Sequence, residues 1–162
     1  MTKDCHEGGG REIRRVPGYL AIIAGKDEYL VDQDGRACYD KARKAAGPDA
    51  EAEIISAQIL RVDDARVLEL QFAESVKTLS MFGGKRVIWL RNLNLVADTV
   101  QAKSDEVKKN LANMLEVATS ADPSVSIIIS ATPYDGRRKD LSALKSAAHD
   151  FILHASASKS PF

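Results

Sequence analysis

The sequence predicts an α/β domain built on a mostly parallel five-stranded sheet with helices on both faces, a three-layer arrangement. Three observations carry that prediction. Short apolar runs at Tyr19–Ala24, Val87–Leu90 and Ile127–Ile129 have the continuous apolar character of strands buried on both faces. Amphipathic segments with helical spacing lie between them, so strand and helix alternate along the chain. Right-handed βαβ crossovers then cover both faces of the sheet.

Each element has its own local reason. Residues 1–16 carry Gly8-Gly9-Gly10 and mixed charges without periodicity, and read as a flexible N-terminal extension. Ordered structure is expected from Pro17-Gly18, with a first strand that stops at Gly25. Lys26-Asp27-Glu28 opens a helix, its two acids suited to the positive end of the helix dipole. Val31, Cys38, Ala42 and Ala45 share one face of that helix, and Gly47-Pro48 ends it. Gly35 inside it costs about 1 kcal/mol relative to alanine, which points to a close packing contact.

Glu53–Leu60 alternates in character and reads as a second strand nearer a sheet edge. Asp63 or Asp64 is expected to cap the next helix, in which Leu68, Phe72, Val76 and Leu79 recur at spacings of a helical face. Arg86–Leu90 is the third strand. Val107, Leu111, Met114, Leu115 and Ala118 mark another helix, closed by Asp122-Pro123. Val125–Ser130 is a fourth strand, Arg138–Ala148 a short helix, and Asp150–His154 a fifth strand. Ala155–Phe162 has the composition of a linker.

Bulk properties exclude several functions. Length suits one domain with a real core. Twenty-three basic and twenty-three acidic residues cancel, so no whole-molecule field draws the chain to nucleic acid or an anionic membrane. No apolar run approaches the ~18–20 residues needed to span a bilayer, and the N-terminus lacks the apolar core of a secretion signal. Cys5 and Cys38 have no framework spacing and read as free thiols of a reducing cytoplasm, Cys38 as a small core residue.

The loop after the first strand is where a phosphate-binding loop sits in such folds. That chemistry needs glycines that expose backbone N–H groups, with a lysine and a Ser/Thr for charge and magnesium. Gly25-Lys26-Asp27-Glu28 offers one glycine, no GK[ST] element, and two carboxylates where phosphate would lie. A magnesium-binding acid should follow the third strand, where Arg91 and Asn92 stand instead. ATP hydrolysis therefore lacks its residues at two independent positions. His6, His149 and His154 form no metal-ligand spacing, and no nucleophile elbow is present. Arg137-Arg138-Lys139 forms a local basic cluster, readable as a solvated loop or as a contact for an acidic partner or DNA phosphate.

Met81 and Phe82 remain, at the end of the second helix before Gly83-Gly84. They either fold back as core filler or protrude as an apolar plug for a pocket on another protein. Burying each contributes about 1.5–3 kcal/mol, enough for the hot spot of a modest interface.

The order of Leu20–Leu30, then Leu79-Ser80-Met81-Phe82-Gly83-Gly84-Lys85 running into Arg86–Asn92, resembles the delta subunit of bacterial DNA polymerase III. Ile127–Ala131 followed by Tyr134–Lys139 extends the similarity, which covers Gly18 to Leu153. The resemblance implies an AAA+/P-loop NTPase-like N-terminal domain over 17–154 without a functional ATP site, with 155–162 a linker to C-terminal domains. It implies a non-enzymatic, cofactor-free clamp-loader domain of the cytoplasm, part of a DNA polymerase holoenzyme. Its implied partners are the sliding clamp and, through those other domains, further clamp-loader subunits, with DNA met only indirectly. The implied clamp-binding residues are Met81 and Phe82, supported by Leu79 and Ser80. The family's usual pair is Leu-Phe, and Met for Leu is nearly isosteric. Two alternatives stay open: a degenerate P-loop domain binding a nucleotide or anion near Gly25, and a small-molecule enzyme using the sheet's carboxyl edge.

Overall fold

The computed structural model describes residues 16–78, 84–141 and 144–154. The elements are β1 (Tyr19–Ala24), α1 (Glu28–Ala46), β2 (Glu51–Ser56), α2 (Val62–Lys77), β3 (Arg86–Leu93), α3 (Val100–Lys103), α4 (Asp105–Thr119), β4 (Val125–Ala131) and β5 (Asp150–Leu153). The strands form one sheet in the order β2-β3-β4-β1-β5, and each pairing is parallel. The expected three-layer α/β architecture is therefore present.

Alternation along the strands explains the layers, because successive side chains point to opposite faces. Leu20, Ile22, Ile88, Leu90, Ile127 and Ile129 bury one face beneath Leu68 and Phe72 of α2 and Leu111 and Met114 of α4. Ala21, Ile23, Val87, Trp89 and Ile128 bury the other beneath Val31, Cys38, Tyr39 and Ala42 of α1. The chain steps one way across the sheet from β1 to β2, and back again through β3 to β4. Right-handed crossovers in opposite directions put their helices on opposite faces.

The expected strand at Glu53–Leu60 starts and stops earlier, at Glu51 and Ser56. It is an edge strand, as its alternation predicts, with Ile55 buried and Ala52, Ile54 and Ser56 exposed. Beyond Ser56 the chain leaves the sheet, and Asn94 holds it by accepting from the Ile59 N–H and donating to the Ile59 carbonyl, both at 2.9 Å. Neither Asp63 nor Asp64 is the N-cap of α2; Arg61 is. Asp64 works from inside the first turn, accepting the backbone N–H groups of Arg61 at 3.1 Å and Leu60 at 3.3 Å. The helix expected over Arg138–Ala148 is replaced, in its described residues, by turns and a 3₁₀ position at Leu144. Arg138 is held there by Asp140 and the Ala102 carbonyl, contacts that helical spacing does not reveal. The expected N-terminal extension, apart from Val16, and the tail from residue 155 lie outside the described residues.

Gly35 meets the expectation of close packing. A Cβ there would lie 2.9 Å from Cζ2 of Trp89 and 3.2 Å from Cβ of Ser130. Trp89 is fully buried, and its indole N–H donates to Ser130 Oγ at 2.9 Å, so the ring has no room to retreat. Gly35→Ala gains about 1 kcal/mol of helix propensity but overpacks a dense core, which costs typically 1–3 kcal/mol. Urea denaturation is expected to find this variant less stable than the native chain.

Candidate functional site

The segment with the predicted plug joins α2 to β3 at the amino edge of the sheet. Leu79, Ser80, Met81, Phe82 and Gly83 lie outside the described residues, but both stems are described. On the α2 side, the C-cap residue Thr78 donates its backbone N–H to the Glu74 carbonyl at 3.0 Å and its hydroxyl to the same carbonyl at 2.7 Å. Lys77 and Thr78 are exposed, as is Lys85 on the other stem. A cavity of about 270 Å³ opens between the stems and α4, lined in part by Val76, Thr78, Gly84, Arg86, Val117 and Val125.

Arg86 anchors the β3 stem. Its side chain is 12% exposed and donates from Nη1 to Glu51 at 2.6 Å and from Nη2 to Glu53 at 3.2 Å. The same Nη2 lies 3.1 Å from Ser75 Oγ of α2, and Ser75 in turn donates to Glu53. The Arg86 backbone N–H reaches the Ser124 carbonyl ahead of β4 at 3.0 Å. One residue thereby ties the starts of β2, β3 and β4 to the last turns of α2. Sequence reasoning placed Arg86 only as a strand's first residue. The signal was available in part: Glu51 and Glu53 alternate along one strand, but only the register that sets Glu51 opposite Arg86 makes them a site.

At the opposite, carboxyl edge the loop after β1 is closed by this chain's own groups. Asp27 is the N-cap of α1 and accepts the N–H groups of Tyr29 at 3.0 Å and Leu30 at 3.2 Å. Those are donors that a phosphate would use at a helix N-terminus. A Cβ on Gly25 would lie 2.8 Å from Cβ of His154, whose Nε2 sits 2.6 Å from Asp34 Oδ2. Arg91, inside β3 near its carboxyl end, makes a two-pronged pair with Asp32 at 2.6 and 3.0 Å. Among the described residues no group of three or more His, Cys, Asp or Glu is placed to hold a metal ion, and no helix is long and apolar enough to cross a membrane.

Cys38 is a buried free cysteine, and burial pushes its thiol above the ordinary value, with the Tyr19 hydrogen bond opposing. A neutral thiol is a poor nucleophile. The basic cluster at Arg137–Lys139 is largely spent on internal pairs. Arg137 holds Asp135 and Asp98, both at 3.0 Å, and Arg138, with 9% of its side chain exposed, holds Asp140 at 2.9 Å. Lys139 alone of the three is left without a described partner. The solvated-loop reading of this cluster is the one these contacts favour.

The class of protein is thus a parallel α/β domain whose amino edge carries a braced, partly apolar connection and whose carboxyl edge is filled by its own side chains. A family model described as DNA polymerase III, delta subunit, matches residues 22–154. The chain belongs to that family, a non-catalytic component of the clamp loader in DNA replication. No curated protein matches it.

The Asp135 carboxyl is held down to about 2, first by the Arg137 side chain and then by that residue's backbone N–H. A group depressed on folding adds stability above its unfolded value, near 3.9, and loses it as pH falls toward the folded value. Carbon-detected NMR titration is expected to find Asp135 ionised until about pH 2. Arg137→Ala should move that midpoint upward, toward the ordinary carboxylate range.

Proposed function

We propose that this chain supplies a clamp-binding domain of a clamp-loader delta subunit. Met81 and Phe82, supported by Leu79 and Ser80, enter an apolar pocket on the sliding clamp. Binding that favours an opened ring interface shifts the ring's equilibrium toward open by the difference between the two affinities. The ring can then be loaded onto primed DNA. ATP-driven steps, and assembly with the other loader subunits, belong to other domains and chains in this reading, and the site of action is the cytoplasm.

The observation that carries the proposal is the family match over 22–154, which spans the segment between α2 and β3. Two features support it. The stems of that segment end in exposed Lys77, Thr78 and Lys85, so both of its flanks lie at the surface of the domain. The parallel sheet, with β1 between β4 and β5, agrees with an AAA+-like module, and its expected phosphate donors are occupied by Asp27. That occupancy, with His154 against Gly25, also weighs against the alternative of nucleotide or anion binding near Gly25.

Binding to an immobilised sliding clamp tests the proposal directly. Met81→Ala/Phe82→Ala removes apolar contacts worth about 1.5–3 kcal/mol each, and every 1.4 kcal/mol is tenfold. Affinity should fall at least about tenfold; undiminished binding removes the plug assignment. Calorimetric titration with ATP and Mg²⁺ should give no heat of binding, and measurable affinity would favour the nucleotide-binding alternative instead.

A further inference from the structure

We infer that Arg86 is a positioning residue for clamp docking: its guanidinium, joined to Glu51, Glu53 and Ser75, fixes the stems from which the docking segment departs. This rests on the clamp-binding reading above and goes beyond it by assigning a role to a residue that touches no partner.

The geometry argues for positioning rather than a surface ion pair. Arg86 and Ser75 belong to the two elements that the segment connects, and they meet directly at 3.1 Å. Glu53 then bonds both of them. Ser75 is buried, at 6% exposure, and the Arg86 side chain is 12% exposed, so their contact lies mostly out of water, while the Glu51 and Glu53 side chains remain partly exposed. A second arm to Glu51 at 2.6 Å stops the guanidinium from rotating away. The planar fork suits this task, since one group can face three acceptors at fixed angles. The β3 stem is also held through its backbone, where the Glu51 N–H donates to the Lys85 carbonyl at 2.9 Å. Among the described residues Thr78 bonds its own helix, through the Glu74 carbonyl, and a cavity opens beside it.

A connection whose ends are fixed has less freedom to lose when it docks, and that saving appears as affinity. Loss of the junction should therefore weaken docking more than it weakens the fold. Lysine at this position keeps the charge but supplies no fork.

The test compares three single variants with the native chain for clamp affinity and for urea stability. Arg86→Lys and Ser75→Ala break the junction, while Asp32→Ala breaks the Arg91 pair at the far edge of the sheet as a control for general destabilisation. Arg86→Lys and Ser75→Ala are expected to bind roughly five- to tenfold more weakly, and Asp32→Ala to bind as the native chain does at comparable loss of stability. Equal affinity of Arg86→Lys and the native chain overturns the inference, as does an equal affinity loss in Asp32→Ala. The Met81→Ala/Phe82→Ala variant separates the two levels. If it binds undiminished, the docking reading fails and this inference with it; if it loses binding while Arg86→Lys does not, only this inference fails.

Discussion

The packing of Trp89 against Gly35 is the contact on which the remaining architecture depends. A parallel sheet must be covered on both faces, and here one face has a single long helix to cover it. Trp89 fills the middle of that face, with its ring centroid 5.4 Å from that of Tyr39 and its N–H satisfied by Ser130. α1 can lie over so large a ring only where it presents no side chain, which is at Gly35. Arg36 and Arg91 flank the same indole, each 5.2 Å from its centroid, and extend the contact to the helix surface and the strand end. The helix register is set by this one point of approach.

From that register follows the state of the carboxyl edge. With α1 fixed, Asp27 caps its first turn, Asp32 meets Arg91, and Asp34 meets His154 from the end of the last strand. Each of these pairs joins α1 or its cap to a neighbouring group at the carboxyl edge. The chain has spent its loop donors and its charges on holding itself together there. The amino edge differs, for there a cavity of about 270 Å³ lies between the end of α2, the start of β3 and α4.

The two edges are built by different means. The carboxyl edge is closed by pairs that join neighbouring elements one at a time. At the amino edge, the Arg86 guanidinium joins β3 to β2 and α2, and its backbone N–H adds the residue ahead of β4. Such a shared hub makes the stems interdependent, and its loss leaves two glutamates facing each other without their cation.

The sequence by itself was enough for the fold class, because apolar runs of strand length and helical spacings are local patterns that survive without a structure. It was also enough for the edge position of β2 and for a close contact at Gly35. It was less informative wherever a long-range contact decides the backbone. The extent of β2 depends on Asn94, the start of α2 on Asp64 reaching back, and the turns after Gly136 on Arg138 bonding to Ala102. The basic run at Arg137 looked free until Asp98, distant in sequence, was found beside it. The proposed contact residues Met81 and Phe82 were legible only through the order of the motifs around them. Their stems became a braced site only in three dimensions, because strand register, which no single strand encodes, sets Glu51 opposite Arg86.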